Sequence, residues 1–191
     1  GIMQSGMART PDEIKPLPTQ VGDVVIAHLS YTLRYDSPPP IGEDWRSALI
    51  DIPRILADAR EARTLGAQAV VLSLHWGNED SAVPTEQQRQ WANELTISGE
   101  IDLIVGSHSH VLQPIEQING VWVMFGLGNF LTNMPTRHQR ALSLRLKSTM
   151  KISSQVNSAF CRRLARATAS ARSYSSAFSL LTAPRTVWLT Q

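Results

Sequence analysis

Apolar residues in this chain fall into two kinds of segment. Some are short dense runs, and others recur every three or four positions with polar residues between them. Asp23–Thr32 (DVVIAHLSYT), Ala69–Leu74 (AVVLSL), Ile101–Val105 and Val121–Phe125 (VWVMF) are of the first kind. They are rich in β-branched residues, and their brevity predicts strands, several of them buried on both faces. Asp51–Leu65 is of the second kind. Asp51 stands at the cap, Ile52, Ile55, Leu56 and Ala59 share one face, and Gly66 follows as a stop, so an amphipathic helix is predicted. Thr85–Leu95 predicts another helix, with Thr85 and Gln88 spaced as a capping box. Strands alternating with helices place the chain in the α/β class.

Elsewhere the pattern weakens. Thr10-Pro-Asp-Glu13 has the order of a short helix start, with threonine as the cap and proline in the first turn. Asp36-Ser-Pro-Pro-Pro40 predicts a loop, because consecutive prolines exclude both helix and ladder pairing. Beyond Asn133 only Ala141–Lys147 alternates like a strand, and the rest is Ser, Ala and Arg without a period. No internal repeat is present.

Charge divides the chain at the same place. Residues 1–130 hold all 16 acidic residues and 8 of the 18 basic ones, whereas residues 131–191 hold 10 basic residues and no acid. The net charge of +2 is thus the sum of an acidic first part and a basic second part, which need separate explanations. No run of about 18 apolar residues is present, so no membrane span is predicted. No basic-then-apolar export signal is visible. The chain opens on Gly1 and reads as though it begins within a longer protein. A single cysteine, Cys161, excludes an internal disulfide and a multi-cysteine zinc site.

The candidate chemistry lies where buried strands end in polar, glycine-rich turns: His75-Trp76-Gly77, Gly106-Ser-His-Ser-His110 and Gly126-Leu-Gly128-Asn129. In open α/β sheets the C-terminal strand ends line the ligand crevice. If these strands are neighbours, His75, His108, His110 and Asn129 converge there. Imidazole suits zinc, iron and manganese, and a glycine before the pair lets the backbone turn close to an ion. In extended backbone His108 and His110 point the same way, whereas a curled turn aims them apart. A lone His-X-His pair equally marks loop-capping histidines. The third histidine, His75, leaves the metal and structural readings level. His28 lies within a strand and reads as structural, and His138 has no nameable partner. Trp76, Trp91 and Trp122 read as core or pocket wall, and Glu79 as a loop acid able to line the site.

AHLSYT (27–32), VVLSLHWGNE (70–79), PTEQQRQWA (84–92), IDLIVGSHSHVLQPIE (101–116) and GLGNF (126–130) together resemble the bacterial capsule-synthesis CapA family, associated with poly-γ-glutamate capsule production. The resemblance runs in order through most of residues 1–134, and its extent implies a domain over 1–134 and a separate basic segment over 135–191. It implies a calcineurin-like metallophosphoesterase fold, a two-sheet β-sandwich flanked by helices, of which this chain would hold the C-terminal part. It further implies a divalent metal pair (Mn, Fe or Zn), with His75 and His108 on one ion and His110 on the other. Trp76, Glu79, Gly106, Gly128 and Asn129 would line or support the pocket, the two glycines allowing tight turns. The family's bridging aspartate, Asp-X-His pair and Asn-His motif have no match in residues 1–74, so the bridging carboxylate and general acid are expected upstream.

Two divalent ions about 4 Å apart repel by roughly 16 kcal/mol at an effective dielectric near 20. Neutral imidazoles do not offset that repulsion, and carboxylates normally do. The resemblance therefore implies a metal-dependent phosphoesterase-like hydrolase for the complete protein and an inactive chain by itself. The substrate would be an anionic polymer or a phosphoester, the partners membrane-bound capsule-synthesis proteins, and the location the cell envelope. The competing reading is a non-catalytic, polymer-binding accessory of an envelope polymer machine. The basic segment is either a cationic tail for nucleic acid, anionic lipid or polymer, or sequence from a shifted frame. Periodicity and resemblance end together near residue 135, in a stretch with no acid after Glu116, which favours the frame shift, and nucleic acid is not an expected partner.

Overall fold

In the computed structural model, residues 4–129 and the backbone of a short strand at Thr186–Val187 are described. One mixed sheet runs through them. Its strands are β1 (Thr19–Val21), β2 (Val24–Thr32), β3 (Ala69–His75), β4 (Leu103–Ser107), β5 (Ile115–Ile118), β6 (Val121–Met124) and β7 (Thr186–Val187), in the order β1-β2-β3-β4-β6-β5-β7. The pairs β2–β3, β3–β4 and β4–β6 are parallel, while β1–β2, β5–β6 and β5–β7 are antiparallel.

Two helices, α1 (Ile52–Thr64) and α2 (Glu86–Ile97), form the connections β2–α1–β3 and β3–α2–β4. Right-handed crossovers that step the same way along a sheet place their helices on the same face. The packing agrees: Ile55, Ala59 and Ala62 of α1 and Ala92 and Leu95 of α2 share one core with Leu29, Val70, Leu72, Leu74, Ile104 and Val123. On the opposite face Leu103, Ile115 and Met124 gather Val71, Val105 and Trp122 into a smaller cluster. The expected α/β class is present. Of the two stacked sheets implied by the resemblance, the described residues form one, with both helices against it.

Local chemistry explains the element ends. Asp51 Oδ1 accepts from the Arg54 N–H at 2.8 Å, and Gly66 leaves α1 at φ +98°. The predicted capping box closes in both directions: Gln88 N–H donates to Thr85 Oγ1 at 3.1 Å, and Thr85 N–H to Gln88 Oε1 at 2.9 Å. The expected helix start at Thr10 is instead a three-residue 3₁₀ turn, Pro11–Glu13, without a side-chain cap from Thr10. Glu13 reaches back to the Arg9 N–H at 2.8 Å and takes the capping role.

The strand expected from Ile101 begins two residues later and runs on through Gly106 to Ser107. Its first residues serve instead as an anchor. Asp102 N–H donates to Val70 O at 3.0 Å, and Val70 N–H donates to Asp102 Oδ2 at 2.6 Å. Strand β5 has no counterpart in the expected elements. It pairs with β6 through Asn119-Gly120, both at positive φ, the geometry of a type I′ hairpin. The predicted strand at Ala141–Lys147 lies outside the described residues.

Candidate metal-binding edge

Because β2, β3, β4 and β6 are parallel neighbours, their C-terminal ends share one edge of the sheet. Register sets what meets there. Thr32 is opposite His75, and His75 is opposite Ser107, the residue before His108. The rings of His75 and His108 lie 4.4 Å apart, centroid to centroid, and those of His108 and His110 lie 6.4 Å apart. The strand-end histidines are thus brought together, as the sequence predicts for neighbouring strands.

The turn carrying His108 and His110 is curled rather than extended. His108 sits at φ +98° and His110 at φ +59°, both in the left-handed region that costs a side-chain-bearing residue energy. The buried Ser109 between them fixes the curl by donating to Val111 O at 2.7 Å, and its carbonyl accepts from Asp80 N–H at 2.9 Å. Strain here resides in the histidines themselves. Gly106, expected to supply a tight turn, lies inside β4. Its missing side chain serves close approach, since a Cβ there would stand 1.9 Å from Phe125 O and 2.5 Å from Trp76 Nε1. Gly128 is at φ +68°, a backbone conformation that glycine adopts without strain.

Supporting residues tie the strand ends together. Trp76 is fully buried on the helix-covered face, stacks on Phe125 and donates its indole N–H to Phe125 O at 2.9 Å. It spans from the end of β3 to the end of β6 across Gly106. The buried amides of Gln88 and Gln113 continue the brace: Gln88 Nε2 donates to Gln113 Oε1 at 3.1 Å, and Gln113 Nε2 to Ser81 O at 2.9 Å. Asn129 Oδ1 lies 2.9 Å from His110 Nδ1, close enough to orient that ring. Glu79 is at the rim, its carboxylate 4.0 Å from His108 Nδ1 and its side chain largely exposed.

Burial holds the pKa values of His75 and His108 below the ordinary imidazole range. The second cause at His75 is the neighbouring His108, and at His108 it is the Arg34 guanidinium. Both rings are therefore neutral at pH 7, the form that ligates or accepts. His75 Nδ1 lies 3.3 Å from Thr32 Oγ1.

Arg34, two residues past β2, belongs to this edge and was not among the expected site residues. Its Nη2 lies 3.3 Å from His108 Nε2. Strand β2 runs parallel to β3, so the residues after Thr32 arrive at the same edge, a placement that the fold and not the sequence reveals. His28, read as structural, has its Nε2 2.7 Å from Ser73 Oγ on the adjacent strand, away from this edge. As a metal centre the donor set is incomplete. Among the described residues, no group of three His, Cys, Asp or Glu side chains is arranged to hold an ion.

Residues 1–134 match the family described as bacterial capsule synthesis protein PGA_cap. The chain belongs to that family. It is 46% identical over 65 residues to the PGA biosynthesis protein CapA of Bacillus subtilis (strain 168), covering 34% of this chain and 17% of that one. It is 33% identical over 76 residues to the capsule biosynthesis protein CapA of Bacillus anthracis, covering 40% of this chain and 18% of the relative. The chain thus matches less than a fifth of the length of either curated relative. Among solved structures, the Thermus thermophilus sulfate thiohydrolase SoxB is similar at 23% identity with a TM-score of 0.44, over 69% of this chain and 22% of that one. No helix among the described residues is long and apolar enough to cross a membrane.

Proposed function

We propose that residues 1–134 of this PGA_cap family chain are the C-terminal part of a metallophosphoesterase-like domain that contributes histidine ligands to a divalent metal centre in capsule-polymer synthesis. Residues 135–191 are a basic, acid-free stretch of sequence with no role assigned in that centre, and within it Thr186–Val187 pairs with β5. The convergence of His75 and His108, 4.4 Å apart and both held neutral, supports the ligand role most directly. His110 is the third ligand, Asn129 orients it, and Glu79 stands at the rim. Trp76 and Gly106 keep the strand ends in register, and Gly128 supplies the positive-φ backbone before Asn129. The ion is zinc or iron, which imidazole suits, or manganese where the carboxylates of the complete centre dominate.

Three neutral imidazoles do not balance two divalent charges. The carboxylates of the centre come from regions of the family's longer proteins that the matched segments do not cover. Hydrolysis of a phosphoester or a related linkage in an anionic capsule polymer belongs to that complete centre. The contribution of this chain is to bind and orient. The setting is the cell envelope, beside membrane-bound partners of capsule synthesis.

The test uses a complete family protein carrying the substitution that corresponds to His108→Ala. Hydrolysis of a phosphodiester model substrate is expected to fall to background while the thermal melt is kept. Unimpaired capsule polymer output from a strain with that variant would favour the accessory, polymer-binding reading.

A further inference from the structure

Arg34 is the exception among the described arginines. Arg9, Arg46, Arg54, Arg60, Arg63 and Arg89 each hold a carboxylate: Glu13, Glu43, Asp58, Glu100, Asp102 and Glu116 respectively. Arg34 instead directs Nη2 at the Nε2 of His108, 3.3 Å away. A guanidinium carries five N–H donors, has no acceptor and stays charged at any physiological pH. With no ion on His108, the imidazole nitrogen facing it is the acceptor and the proton sits on Nδ1, the nitrogen turned toward Glu79 at 4.0 Å; an ion taken on Nε2 would release the guanidinium for another partner. One neutral lone pair is a poor match for a permanent cation with a planar fork of donors. The side chain is exposed, and it stands at the strand edge where ligands bind.

We propose that Arg34 is the oxyanion-binding residue of this edge, taking a phosphate or carboxylate group of the substrate on its guanidinium fork in front of His75 and His108. The inference rests on reading the edge as a substrate site, and it specifies the charge of the group presented there. Bidentate pairing with a planar or tetrahedral oxyanion is the chemistry that distinguishes arginine from lysine. Asp36 and Glu79, whose charges also act on these rings, border the site. Their negative charges disfavour a densely charged ligand at this edge.

The proposal is tested by calorimetric titration of the full 191-residue chain, kept metal-free with chelator. Inorganic phosphate is one ligand and a short γ-linked glutamate oligomer the other, which separates a phosphoester from a polymer carboxylate as the source of the oxyanion. At least one is expected to bind. Arg34→Ala should weaken that binding about tenfold to a hundredfold, with Arg34→Lys in between. An unchanged thermal melt is expected for both variants, because the side chain is exposed. Equal binding by parent and Arg34→Ala, or no binding of either anion to the parent, overturns the proposal. Metal uptake is measured separately on His108→Ala. Arg34-dependent anion binding without metal uptake would remove the metal reading and leave this one standing. Metal uptake through the histidines with Arg34-independent anion binding would do the reverse.

Discussion

Gly106→Ala is expected to abolish cooperative folding of the domain, although it adds one methyl group in the middle of a strand. The new Cβ would stand 1.9 Å from Phe125 O and 2.5 Å from Trp76 Nε1. Neither atom has room to retreat: Phe125 and Trp76 are fully buried, stacked on each other and joined by the indole hydrogen bond. Relief requires β4 and β6 to separate at the end that carries His108. A cost above about 4 kcal/mol follows, a large part of the roughly 5–15 kcal/mol available to a whole domain. Gly120→Ala is the matched control. It has positive φ but open space around it, and should lose only about 1–2 kcal/mol. Urea denaturation of both variants decides the matter. A Gly106→Ala unfolding free energy within about 1 kcal/mol of the parent would mean the strand ends are not packed as described.

Asp102→Ala is the second large effect. Asp102 is buried, accepts from Arg63 Nη2 at 2.5 Å and Val70 N–H at 2.6 Å, and returns its own N–H to Val70 O. Burial pushes its carboxyl above the usual carboxylate range, while Arg63 pulls it down. Removing the carboxylate leaves the partly buried Arg63 guanidinium with only the carbonyls of Glu100 and Ala67 and the Val70 N–H with no acceptor, at about 3–5 kcal/mol. Asp102→Asn keeps an acceptor for Val70 and should lose less. The effect reaches the site, because the Val70–Asp102 anchor sets the register that brings His75 opposite Ser107. Equal urea midpoints for parent and Asp102→Ala would show that the anchor is not needed.

What could be read from sequence was whatever local physics decides. The capping box at Thr85–Gln88 and the stop at Gly66 are written in short-range chemistry, and both appear as expected. The strand ends bearing His75 and His108 were legible because buried parallel strands announce themselves as apolar runs. Strand β5 was missed although Asn119-Gly120 is a strong hairpin signal, since IEQI alternates too briefly to stand out. Gly106 looked like a turn residue because a glycine before two polar residues usually is one. Its true reason, the approach of Phe125 O, depends on a strand that only the fold brings near. Arg34 was passed over for a similar reason: nothing in LRYD indicates that β2 ends beside β3 in parallel.

His75, His108 and His110 are proposed as metal ligands. The most direct test is titration of the full chain with Co2+, read by the visible absorption that appears on imidazole coordination. Weak but saturable uptake of one ion is expected, lost in His75→Ala and in His108→Ala and kept in His28→Ala. No saturable absorption, or a signal unchanged by His108→Ala, would contradict it.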